Sequence, residues 1–103
     1  MKPIFFPEKD PEEVITLSFD FSADLAGELI NGAPVVSVTA FAGTDASPSD
    51  LLNGAAQLDG TSTKVLQSVK AGLADVDYRV KVKVPTSGSR TLVLARILPV
   101  RAA

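Results

Sequence analysis

Lys9-Asp10-Pro11-Glu12-Glu13-Val14-Ile15-Thr16-Leu17-Ser18-Phe19-Asp20-Phe21-Ser22 is the stretch that decides the fold. A charged turn marked by Pro11 hands directly into an apolar/polar alternation. Ile15, Leu17, Phe19 and Phe21 share one face of an extended chain, and Thr16, Ser18 and Asp20 share the other. This is a half-buried strand, the kind an antiparallel sheet with one solvated face uses. The residues ahead of it, 1–13, read as an extended arm. Pro3, Pro7 and Pro11 each forbid a regular helix and bias their predecessors to extended geometry. Ile4, Phe5 and Phe6 stand out in this otherwise polar arm. Either they fold back over one end of the core, or they form an apolar hook for a neighbouring subunit.

Working outward, residues 22–28 have room for a single helical turn that Gly27 caps. Asn31-Gly32 signals a turn. A second strand covers 35–41, with Val36, Val38 and Ala40 opposite Ser37 and Thr39. Residues 42–62 are dense in punctuation: Gly43, Pro48, Asn53-Gly54 and Asp59-Gly60. A structureless loop of about twenty residues is uncommon in a compact domain. A short strand or helical turn is therefore expected near Leu51-Leu52, and the segment 45–60 is a candidate functional loop. A third strand covers 63–69, with Val65, and Leu66 as a second candidate, turned inward. The clearest strand is 76–84, where Tyr78, Val80, Val82 and Val84 alternate with Arg79, Lys81 and Lys83. Thr86-Ser87-Gly88-Ser89 turns into a last strand, 90–100, which is apolar on both faces over 92–98. That strand therefore lies centrally or has one face covered by another subunit.

Five or more short strands separated by turns, without a long helical period, predict an all-β antiparallel sandwich at residues 14–103. At this length the immunoglobulin-like form, lacking its disulfide and tryptophan, is the natural one. Tyr78, early in a late strand, occupies the place of a tyrosine corner.

Composition excludes several function classes. One domain fits 103 residues. There is no cysteine and no histidine, so a disulfide framework, thiolate chemistry and a Ser-His-Asp triad are all ruled out. The net charge of −2 argues against a dedicated nucleic-acid binder. No apolar run approaches the roughly 20 residues of a membrane-spanning helix, and the first residues do not read as a signal peptide.

The acidic residues sit mainly near turns, where their side chains bond local backbone. Asp75-Val76-Asp77 is the nearest approach to a calcium loop and lacks its ligand spacing. Nothing fixes a carboxylate pair for glycoside hydrolysis, and no phosphate-cradling glycine loop is present. The expectation is a protein that is no enzyme, with no cofactor and no metal. Arg79, Lys81 and Lys83 share one strand face. They form either a solvated surface with cross-strand ion pairs or a docking patch for an acidic partner subunit.

Two blocks of sequence carry a family resemblance. The first runs from Lys9-Asp10-Pro11-Glu12-Glu13-Val14 through Phe19-Asp20-Phe21-Ser22 to Leu25-Ala26-Gly27-Glu28-Leu29-Ile30. The second is Gly72, Tyr78-Arg79-Val80, Thr86-Ser87-Gly88-Ser89-Arg90-Thr91 and Val100. Leu51-Leu52-Asn53-Gly54-Ala55-Ala56-Gln57 lies between them. In this order they resemble the bacteriophage fiber-tail adaptor family. Phe21 stands where tryptophan is frequent in that family, and Gly88-Ser89-Arg90 replaces a tighter Gly-Arg turn. The resemblance implies an immunoglobulin-like virion structural protein, made in the bacterial host cytoplasm and present in multiple copies in the particle. Its implied partners are other phage tail, fiber or capsid proteins, with no nucleic acid and no membrane.

Four readings follow. The first is an adaptor joining tail fibers to the tail, the second a capsid decoration or cement protein of similar fold, and the third a bacterial adhesive or carbohydrate-binding sandwich. An enzyme is the fourth and has the least support. The third would want exposed aromatic residues, whereas those here fall mostly in the arm or on core-facing positions. The expected contact surfaces are Ile4, Phe5 and Phe6, the 45–60 loop, and Arg79, Lys81 and Lys83.

Overall fold

The computed structural model describes residues 4–103. Residues 1–3 of the expected arm, Pro3 among them, lie outside that range. Six strands follow one another: β1 (Ile15–Asp20), β2 (Val35–Ala42), β3 (Gln57–Leu58), β4 (Lys64–Val69), β5 (Val76–Pro85) and β6 (Thr91–Val100). They form two three-stranded antiparallel sheets, ordered β1-β4-β3 and β2-β5-β6. This is the order of strands B-E-D and C-F-G in immunoglobulin domains.

The alternation that defines each strand also builds the core. Leu17 and Phe19 of β1 and Val65 and Val69 of β4 meet Val38 of β2, Val80, Val82 and Val84 of β5, and Leu98 and Val100 of β6 in one buried cluster. Burying each such side chain contributes about 1.5–3 kcal/mol. Helix α1 (Ser22–Leu25) is the expected single turn. It stops where Ala26 and then Gly27 take positive φ, at 49° and 94°. Leu25 inserts into the core.

The punctuated segment contains both a 3-10 turn, Pro48–Leu51, and the short strand β3. Leu51 is buried, and Leu52 makes an isolated bridge to Val69. One inward assignment needs correction. In β4 the inward residues are Val65, Gln67 and Val69, so Leu66 faces outward and is half-buried. Gln67 is buried among apolar neighbours because its amide donates to the carbonyls of Gly54 (3.0 Å) and Ser68 (2.8 Å). A buried amide is tolerated when it is bonded in this way.

The arm lies beside β6. Ile97 N–H donates to the Ile4 carbonyl, Phe6 N–H to the Ile97 carbonyl, Lys9 N–H to the Pro99 carbonyl, and Arg101 N–H to the Lys9 carbonyl. Phe5 and Lys9 thus make parallel bridges to Ile97 and Val100. With β5 on one side and the arm on the other, the end of β6 has no open edge. This central position accounts for apolar residues on both of its faces.

Candidate interaction surface

The two sequence blocks form two latches. In the first, Lys9 is buried and its ammonium donates to the carbonyls of Asp10 (2.9 Å) and Ala71 (2.7 Å). Burial pushes its pKa down, opposed by the nearby Glu13 and Asp10 carboxylates. Asp10 accepts from the backbone N–H groups of Ala103 and Glu12, and Glu13 accepts from the Asp10 N–H. The Ala103 bond, then the Glu12 bond, holds the Asp10 pKa below its ordinary value. The charged turn is therefore a buckle that fastens the arm to the 71–72 corner and to the chain's last residues.

In the second latch, the Glu28 carboxylate accepts from Thr86 Oγ1 (2.6 Å), Gly88 N–H and Arg90 Nε. Arg90 also donates to the carbonyls of Asp24 and Leu25 at the end of α1. The Thr86 hydroxyl, and then Arg90, lower the Glu28 pKa. A Cβ at Gly88 would meet the Glu28 carboxyl carbon at 2.5 Å, so the hairpin closes directly over this carboxylate and a larger residue there would displace one of the two.

A third anchor holds the long loop. The Tyr78 hydroxyl donates to Asp45 Oδ2 (2.6 Å) and accepts the Leu73 N–H (2.8 Å). The latter is the upstream backbone bond of a tyrosine corner. Burial, then the Asp45 bond, pushes the Tyr78 pKa up to about 12. The same bond lowers that of Asp45. Both ends of the 45–60 segment are tethered, since the Asp59 carboxylate accepts from Thr61 Oγ1 and from the N–H groups of Thr63 and Lys64.

Arg79, Lys81 and Lys83 lie exposed on the outer face of β5, the middle strand of its sheet. Their cross-strand partners are Thr39, Ser37 and Val35 on β2 and Ile97, Ala95 and Val93 on β6. Among the described residues the ion pairs are Arg90–Glu28 and Arg101–Asp77. The cross-strand ion pairs of the solvated reading are thus absent from the basic row. Instead the Arg79 guanidinium sits 5.2 Å from the Phe41 ring centroid, a contact made at the bulge between Ala40 and Ala42. Val35, Phe41 and Val93 are exposed around the row.

The six expected contact residues separate. Phe5 bridges Ile97, itself opposite Arg79, so Phe5 extends the basic face sideways. Ile4 and Phe5 are each 53% exposed. Phe6 turns the other way and packs edge-on against Phe19, with ring centroids 5.4 Å apart. It is the arm's anchor in the core. Sequence reasoning missed Phe41, Val35 and Val93 as members of this face. Their signal was outward apolar residues on β2 and β6 at the levels of the cations, and reading it requires the strand register.

No cluster of metal-ligating side chains occurs among the described residues. The site's chemistry is that of a surface: a sandwich with a basic, partly apolar outer face, whose arm, last hairpin and long loop are each fastened by side-chain bonds. Such a module belongs to the class of small all-β sandwich proteins. The chain belongs to the podophage GP4 fiber-tail adaptor protein gp77 family, whose model matches residues 9–99. Membership gives it a structural role associated with the phage tail, in the virion and in contact with other tail proteins. No curated protein and no solved structure matches the chain.

Proposed function

We propose that this protein is the adaptor that joins a fiber to the tail, and that the outer face of β2-β5-β6 receives an acidic surface of one of those partners. The observation that carries this reading is the row Arg79, Lys81 and Lys83: three cations with no carboxylate partner among the described residues, on a chain of net charge −2. Exposed Val35, Phe41, Val93 and Phe5 surround them. A specific interface buries on the order of 1,200 Å² or more. Charge complementarity steers encounter, and the apolar rim supplies desolvated contact. We also read the sandwich as immunoglobulin-like, on its strand order and the Tyr78–Leu73 bond.

The test is to reverse the row with Arg79→Glu, Lys81→Glu and Lys83→Glu, and to measure binding to the purified tail and fiber proteins of the same phage. The variant should keep its fold and lose one of the two partners. Undiminished binding to both, or labelled protein found on the capsid instead of the tail, overturns the reading.

A further inference from the structure

We propose that the free edge of β1 is a second docking site, which takes an extended segment of a partner protein as an added strand, with lysine or arginine side chains at the end near Glu8 and Glu13. The site is separate from the basic face and does not depend on the reading given to that face.

The backbone defines the edge. Phe21 N–H donates to the Thr63 carbonyl at 3.0 Å, in register with the pairing of β1 and β4. Hydrogen-bonded and non-bonded pairs alternate along an antiparallel ladder. Ile15, Leu17 and Phe19 therefore exchange bonds with β4, whereas the N–H and C=O groups of Thr16 and Ser18 point away from it. Ser68, paired with Thr16, confirms the phase: its carbonyl accepts from Asn53 N–H, on the far side of β4 from β1. No other described strand pairs with β1. The arm lies nearby, but its backbone bonds to other elements run to β6 and the C-terminal residues.

Between the arm and β1 runs a groove of about 300 Å³, lined by Phe6, Pro7, Glu8 and Glu13 and by β1 itself from Ile15 to Ser18. It offers what strand addition needs: unpaired backbone groups in a row, and apolar ground for alternate side chains. Its charge selects the partner. Glu8 and Glu13 line the groove, Glu12 is exposed in the turn beside it, and the one cation of this stretch, Lys9, is buried with its ammonium turned to two carbonyls. Lys9 offsets part of the Glu13 and Asp10 charge, but Glu8 and Glu12 leave the open end net acidic, which complements a basic strand and repels an acidic one.

The probe is a short capped peptide alternating valine and lysine, compared with one alternating valine and glutamate. The lysine peptide should bind the intact protein in low salt and slow amide exchange at Thr16 and Ser18. The glutamate peptide should bind far more weakly. Ser18→Pro removes an outward N–H without removing a ladder bond and should weaken binding by about tenfold. Glu8→Lys, which leaves the strand untouched, should weaken it several-fold. Equal binding of the two peptides, exchange protection elsewhere than β1, or affinity unchanged in Glu8→Lys overturns the proposal.

Discussion

Lys9 Nζ donates to the carbonyl of Ala71, 62 residues further along the chain, at 2.7 Å. One side chain thereby ties the arm to the corner that leads into β5. The corner itself is tight: Gly72 has φ +89°, and a Cβ there would stand 3.0 Å from Val100. Replacing Lys9 with methionine keeps the apolar stem and leaves two carbonyls without their donor. The expected loss is about 1–3 kcal/mol, seen as a lower denaturant midpoint. Amide exchange in residues 4–13 should rise more than exchange in β5. Uniform loss of protection across the molecule would show that Lys9 supports the whole core and not the arm in particular.

Tyr78 is the chain's single tyrosine, and there is no tryptophan, so phenolate absorbance reports it alone. Its pKa should titrate at about 12 in the folded state, against about 10 unfolded. The folded protein therefore holds this proton more tightly. The associated stability is fully present below about pH 10 and is lost as pH rises through the folded value. Tyr78→Phe should remove that alkaline decline and cost about 1–2 kcal/mol at neutral pH, since the Leu73 N–H loses its acceptor. On the acid side Asp45, Glu28, Asp10, Asp20 and Asp59 all have lowered pKa values. Their contribution is present above about pH 4 and fades as pH falls below it. Denaturant midpoints across the pH range test both limbs.

Gly88→Ala places a methyl group against the Glu28 carboxylate. Either the carboxylate or the hairpin must then move, which disturbs the bonds from Thr86, Gly88 and Arg90. We expect Tm to fall by roughly 5 °C. Arg90→Lys, which cannot reproduce the planar fork reaching Glu28, Asp24 and Leu25, should give a smaller fall in the same direction. An unchanged Tm for Gly88→Ala would mean that Glu28 has another rotamer available at no cost.

Much of the fold was legible because period-two alternation is strong in this chain. β1 and β5 could be placed from Ile15, Leu17, Phe19 and from Tyr78 through Val84 without knowing their partners. Room for a helical turn within 22–28 was legible, but its end at Ala26, a non-glycine residue with φ 49°, was not. Gln67 was only half legible: the alternation from Val65 to Val69 puts it on the inner face, but nothing in the sequence reveals the Gly54 carbonyl that satisfies its amide there. The arm was half legible. Its extended character came from its prolines, but the division of labour between Phe5 and Phe6 depends on which side of β6 the arm lies along. The basic row could be placed on one face, while its apolar surround needed the β2–β5 and β5–β6 registers.

The basic row should be nearly silent in stability. Arg79, Lys81 and Lys83 are exposed and take no part in the observed ion pairs. Single changes of Lys81 or Lys83 to threonine should stay within about 0.5 kcal/mol of the parent. Arg79→Thr should cost slightly more, because it gives up the contact with Phe41, worth about 0.5–1 kcal/mol at an exposed site. Denaturant titration of the three variants checks the order. A large loss at Lys81 would mean that the residue supports the sheet and is not available for docking.

The parallel course of the arm along β6 has a mechanical meaning. If tension enters at the arm's leading residue and leaves through the end of β6, the two segments are drawn past each other lengthwise. The bonds at Ile4, Phe6, Lys9 and Arg101 then carry force together, as rivets in a lap joint do, and none is peeled ahead of the rest. A tail protein loaded in that direction would resist the pull best along this seam.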